Sequence, residues 1–157
     1  MLPILEKFNV ERKLRGKRIR ALILTPTREL AIQVEANVAK YSKYLNLSSM
    51  VMYGGVDSGP QRQRLIYGVD ILVATPGRLI DMMYQRVLHF DELEILVLDE
   101  ADKMLDMGFI NDIEKIIDRL PSQRQSLLFS ATLTEEVRFL ADTVNEDAVK
   151  ISVPLSS

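Results

Sequence analysis

The chain has 157 residues, 47% of them apolar and 27% charged, with a net charge of −2. This is one domain's worth of sequence, long enough to bury a real core. With no Cys there is no disulfide framework, thiolate metal site or cysteine nucleophile. The single histidine, His89, excludes a multi-histidine metal centre and reads as a surface or packing residue. No apolar run approaches the roughly 18–20 residues that span a bilayer. The start, Met1-Leu2-Pro3-Ile4-Leu5-Glu6, has no basic stretch ahead of its apolar residues, so no secretory signal is read and a cytoplasmic location is expected. Charge is uneven: residues 1–20 carry a local +5 and the remainder −7. Such a basic run reads as a solvated loop or, more sharply, as a phosphate-attracting patch.

In chain order, short apolar runs at residues 21–24, 50–53, 71–74, 95–98, 126–129 and, more weakly, 149–153 alternate with helical patterns. Most runs are continuous, as in strands covered on both faces. Residues 28–44 place Leu30, Ala31, Val34, Val38 and Tyr41 on one stripe, and residues 110–120 do the same with Ile113, Ile116, Ile117 and Leu120. Thr75-Pro76 marks a helix start with proline at the first position. Ser58-Gly59-Pro60-Gln61 and Thr132-Leu133-Thr134-Glu135 fit the capping-box pattern. Met82, Met83, Met104 and Met107 read as core filler. Strand–helix alternation predicts an α/β fold, a mainly parallel open sheet with helices on both faces and right-handed crossovers.

The turns after the strands carry the chemistry. They read Thr25-Pro26-Thr27-Arg28-Glu29, Gly54-Gly55, Thr75-Pro76-Gly77-Arg78, Asp99-Glu100-Ala101-Asp102 and Ser130-Ala131-Thr132. In an open parallel sheet the carboxyl ends share one edge, where ligands bind. Helix N-termini at Thr27 and Thr75 favour phosphate, Arg28 and Arg78 add positive charge, and Gly54-Gly55 lets backbone approach a ligand. Such turns suit a sugar–phosphate backbone better than base edges. Taken singly, each turn is also an ordinary cap or bend; five on one edge are less easily dismissed. The acid pair Asp99-Glu100 suits metal–nucleotide chemistry, one carboxylate holding a hydrated Mg²⁺ and the other orienting a water.

In order and spacing, these five motifs resemble the first RecA-like domain of the DEAD-box ATP-dependent RNA helicases, over essentially the whole chain. The stretch Val97-Leu98-Asp99-Glu100-Ala101-Asp102-Lys103-Met104-Leu105-Asp106-Met107-Gly108-Phe109 is similar to the bacterial RhlE-type branch. The resemblance implies that Pro26, Thr27, Arg28, Glu29, Gly54, Gly55, Thr75, Pro76, Gly77 and Arg78 contact or frame the RNA backbone. It implies that Asp99 holds Mg²⁺ through water and that Glu100 positions the hydrolytic water. Asp102 would bond toward Ser130 and Thr132, coupling ATP to RNA. A carboxylate meeting two hydroxyls is independently a natural coupling point.

The sequence departs from that family in three respects. The pattern G-x-x-x-x-G-K-[ST] is absent; Gly16-Lys17 is followed by Arg18 and has Glu11 where the first glycine belongs. The family's adenine-reading glutamine segment and its second RecA-like domain are missing too. Met1-Leu2-Pro3-Ile4-Leu5-Glu6-Lys7 resembles the tail of the helix that follows the phosphate loop. The expectation is a single, N-terminally truncated RecA-like domain over residues 1–157, lacking its first strand. That strand would lie beside the Ser130 strand, and its loss would be repaired by strand rearrangement, self-association through the exposed sheet, or a complementing segment. Three functions stay open: a piece of a helicase that binds Mg²⁺-ATP only in its parent, an ATP-independent RNA-backbone module, or a chain with no activity of its own.

Overall fold

The computed structural model describes residues 18–55, 59–144 and 149–152. Six strands form one parallel sheet: β1 (Ala21–Leu24), β2 (Ser49–Met52), β3 (Ile71–Ala74), β4 (Ile95–Leu98), β5 (Gln125–Phe129) and β6 (Val149–Ser152), in the order β2-β3-β1-β4-β5-β6. The helices are α1 (Arg28–Ser42), α2 (Gly59–Tyr67), α3 (Pro76–Tyr84), α4 (Ala101–Asp106), α5 (Ile110–Ile117) and α6 (Glu135–Val144). A 3₁₀ turn, Lys43–Leu45, extends α1 and ends at Asn46 in the left-handed region.

The continuous runs form strands because both their faces are buried: β1, β3 and β4 have no exposed residue. Their registers are level. Leu24 sits opposite Ala74 and Leu98, Met52 opposite Ala74, and Leu98 opposite Leu128. Residues 25, 53, 75 and 99 therefore leave the sheet at one height. At the other end Arg20, fully buried, donates from Nε to Glu94 Oε2 at 2.7 Å, and its Nη2 pairs with the same oxygen. The Arg20 carbonyl also accepts from Glu94 N at 2.9 Å, locking the start of β1 against the start of β4.

The two faces are covered unequally. Leu22, Leu24, Met52, Leu72, Leu96, Leu98 and Leu128 pack under residues from α2 through α6. On the other face Ala21, Ile23, Ile71, Val73, Ile95 and Val97 meet Ala31 and Val38 of α1 and Leu47 beyond it. Beside α1 an apolar cavity of about 300 Å³ remains, lined by Ile23, Val34, Tyr41, Val97, Leu127 and Phe129, with Asn37 and Asp99 among its walls. This is why β5 alternates in burial where the inner strands do not, leaving Leu127 and Phe129 half-buried. The backbone of β5 on the side away from β4 is paired with β6, Ser126 opposite Val149 through Phe129 opposite Ser152.

Several expectations shift. The stripe of residues 28–44 ends its α-helical part at Ser42, and Tyr41 is exposed. The helix over 110–120 stops at Ile117, although Leu120 is buried. Met82 and Met104 are core residues and Met83 packs against the core, but Met107 is exposed. The α6 cap is Thr134, whose Oγ1 accepts from Val137 N at 3.2 Å, not Thr132. The basic residues and motif resemblance within residues 1–17, the Ser58 cap and Val153 lie outside the described residues.

Candidate nucleic-acid interface and acidic turn

The level carboxyl ends of β1, β2 and β3 open into one groove of about 590 Å³. It is lined by Pro26, Thr27, Arg28, Gly54, Gly55, Thr75, Gly77 and Arg78, together with Asp81, Met107 and Phe109. Two helices begin at its wall. Thr27 caps α1 in extended conformation, its Oγ1 accepting from Leu30 N at 3.2 Å. Thr75 occupies the same place for α3, with Pro76 at the first helical position and no side-chain cap bond. The free amides and dipoles of two helix starts make this groove attractive to anions.

Arg28 is exposed, and its guanidinium lies over the Tyr53 ring, 4.9 Å from the centroid. Gly55 has φ of +84°, which only glycine adopts without strain, and a Cβ there would meet Arg28 Nη1 at 3.9 Å. Around Gly54 the space is open for 4 Å. Of the ten residues expected at an RNA backbone, eight line the groove. The other two stand differently: Glu29 is exposed in the first turn of α1, and Pro76 is buried as the start of α3.

The acidic turn lies apart from that groove. Asp99 donates its backbone N–H to Leu24 O at 2.9 Å and forms part of the apolar cavity wall beside α1. Burial, and then the charge of Glu100, push the Asp99 carboxyl above its ordinary pKa, against a lowering hydrogen bond from the Glu100 backbone. Glu100 has φ of 53°, a left-handed conformation rare outside glycine. It stands at the start of α4, and its Oε1 lies 2.9 Å from Lys103 Nζ. A hydrogen bond to Glu100, and that carboxylate's charge, raise the Lys103 pKa in turn. Among the described residues no cluster of three or more His, Cys, Asp or Glu is placed to hold a metal ion. A cation here would lean on the two carboxylates and complete its shell with water or phosphate, as Mg²⁺ commonly does.

Asp102 Oδ2 accepts from Thr132 Oγ1 at 3.1 Å, joining the acidic turn to the loop after β5. The expected bond from Ser130 is not made to Asp102. Ser130 is buried, and its hydroxyl donates to the Thr132 carbonyl at 2.8 Å. The link is therefore serial: Ser130 shapes the loop, and Thr132 alone of the pair reaches the carboxylate. This also explains why Thr132 does not cap α6.

Residues 1–140 match the family model described as DEAD/DEAH box helicase. The chain belongs to the DEAD/DEAH box helicase family. Similar relatives include the probable ATP-dependent RNA helicase ddx27 of Dictyostelium discoideum, 42% identical over 154 residues, which are 98% of this chain and 20% of that protein. The ATP-dependent RNA helicase-like protein DB10 of Nicotiana sylvestris is 46% identical over 132 residues, 84% of this chain and 22% of that protein. A bacterial relative, the DEAD-box ATP-dependent RNA helicase RhpA of Helicobacter pylori, is 42% identical over 139 residues, 88% of this chain and 28% of that protein. The chain thus spans between a fifth and somewhat over a quarter of the length of these helicases.

Sequence reasoning missed three residues that line this DEAD/DEAH-type groove, Asp81, Met107 and Phe109, and a fourth beside it, Tyr53. Tyr53 reads as the last residue of a strand, but β2 stops at Met52 and Tyr53 lies just beyond it. Asp81 sits one turn into α3 and offers no local signal. Met107 and Phe109 flank Gly108, whose φ of +81° breaks the helix pattern; that glycine was the available clue that Met107 leaves the core.

Proposed function

We propose that this chain is the RNA-backbone-binding and water-positioning part of an ATP-dependent RNA helicase. The observation that carries the reading is the groove at the carboxyl edge. It joins two helix N-termini, Arg28, Arg78 and the Gly54-Gly55 backbone, a donor-rich surface matched to phosphates and not to base edges. The names of the relatives point to the same substrate class.

In this reading Asp99 holds Mg²⁺ through water and Glu100 orients the attacking water. The donor set fits a divalent cation, since burial and the neighbouring charge disfavour ionised Asp99 and a cation would offset both. Bound Mg²⁺ with ATP would supply neutralisation of phosphate charge. Thr132, held by Ser130, passes the position of Asp102 to the loop after β5. Without a phosphate cradle in these 157 residues, positioning and charge stabilisation of the nucleotide fall short. The chain alone is therefore expected to turn over ATP negligibly.

The groove and the acidic turn occupy separate recesses, which favours a second reading for the chain by itself: RNA binding independent of ATP. A salt titration with labelled single-stranded RNA tests both. Log affinity should fall with log salt by about 0.7 for each phosphate contacted, equally for different sequences. Arg28→Ala and Arg78→Ala should each reduce that slope by roughly 0.7. Absence of RNA binding, or strong sequence preference, refutes the groove assignment. RNA-stimulated, Mg²⁺-dependent ATP turnover by the chain refutes the expected inactivity.

A further inference from the structure

We propose that Tyr53 is a positioning residue of the groove, its ring carrying the Arg28 guanidinium so that the arginine's edge stays aimed at the backbone of a bound RNA strand. The proposal rests on the reading of the groove as an RNA interface and adds a residue to it.

Three observations support it. The guanidinium centre lies 4.9 Å from the Tyr53 ring centroid, within cation–π range. Stacking occupies only the flat face of a guanidinium and leaves its in-plane N–H donors free to form a forked contact with phosphate. Among the described residues Arg28 makes no ion pair or side-chain hydrogen bond, so the ring is the group that restrains it. Finally, the chain bends at Gly54-Gly55 directly after Tyr53, and Gly55 carries no Cβ on the side that faces Arg28 Nη1. The segment Tyr53-Gly54-Gly55 therefore supplies the platform, and a neighbour without a side chain, for one arginine on a different element. Tyr53 is half-buried and does not itself line the groove, which makes its effect on RNA indirect.

The test uses the whole chain with a fluorescein-labelled oligouridylate followed by anisotropy. Tyr53→Leu should weaken binding about two- to five-fold, the worth of an exposed cation–π contact. Tyr53→Phe keeps the ring and should bind as the wild type. In an Arg28→Ala background Tyr53→Leu should add little, because the stacked group is gone. Proton NMR gives a readout that needs no RNA: the Arg28 δ-methylene resonances should be shifted by the ring current in wild type and Tyr53→Phe, and return to ordinary values in Tyr53→Leu. Equal losses from Tyr53→Leu with and without Arg28, or Tyr53→Phe binding as poorly as Tyr53→Leu, would overturn the proposal. So would the absence of a ring-current shift in the wild type. A wild-type chain that binds no RNA would instead overturn the interface reading, and the ring-current shift would still decide whether Tyr53 holds Arg28.

Discussion

The heights at which the functional turns leave the sheet depend on the start of β1 being locked to the start of β4, and the Arg20–Glu94 pair is the perturbable part of that lock. Arg20 is fully buried, while about a fifth of the Glu94 side chain is exposed. Glu94→Ala would leave a guanidinium in the interior without its carboxylate. Breaking a buried pair from one side costs about 3–5 kcal/mol, and the access of water beside Glu94 places this case near about 3 kcal/mol. Set against a total of about 5–15 kcal/mol for a domain, that is a large fraction. With a urea m-value of about 2 kcal/mol/M, the unfolding midpoint should fall by about 1.5 M. Replacing both partners, Arg20→Met with Glu94→Leu, removes the buried charge and should restore most of the midpoint. Chemical denaturation followed by circular dichroism measures all three chains. A midpoint shift under about 0.3 M for Glu94→Ala, or a double variant as unstable as the single one, would show that the pair does not hold the strands.

The acidic turn predicts a pH effect. The folded-state pKa of Asp99 lies above the unfolded value of 3.8, so its destabilising contribution is absent below that value and is complete once pH has risen past the folded pKa. Asp99→Asn should therefore raise the urea midpoint at pH 7 and give no advantage near pH 3.5; parallel pH profiles for the two chains would contradict this. Gly55→Ala should cost about 1–2 kcal/mol from its left-handed backbone, whereas Gly54→Ala, in open space, should stay within about 0.5 kcal/mol and act only on RNA affinity. Thr132→Val breaks an exposed bond to Asp102 and should cost about 0.5–1 kcal/mol, with no further loss in an Asp102→Ala background, where the acceptor is gone.

The inner strands were legible because burial on both faces leaves an unbroken apolar run, and their ends could be placed to within a residue. The ligand edge was legible for a related reason. Parallel strands of equal length put every following turn on one side, so Thr27, Gly55, Thr75 and Asp99 could be grouped before any coordinates. How those turns divide between two recesses depends on packing between distant elements and left no local trace. The same holds for Thr132 and Thr134. Two residues apart, both lie just ahead of Glu135 and Glu136, and only Thr132 fits the capping box; its hydroxyl is taken by Asp102, thirty positions away, and Thr134 caps instead. Tyr53 and Met107 escaped because a strand end and a helical methionine usually mean core. The glycines that follow them turn both out of it.

Glu100 combines two demands that pull in opposite directions. Its backbone is left-handed in the two-residue passage, Asp99 and Glu100, from β4 into α4, and glycine would relieve about 1–2 kcal/mol there. Yet glycine would delete the carboxylate. A search for stabilised variants of this fold would therefore favour Glu100→Gly at the position proposed above to orient the water. Selection for stability alone would yield a sturdier scaffold without its chemistry, and retention of an acid at position 100 becomes a practical mark that a variant library has been screened for function.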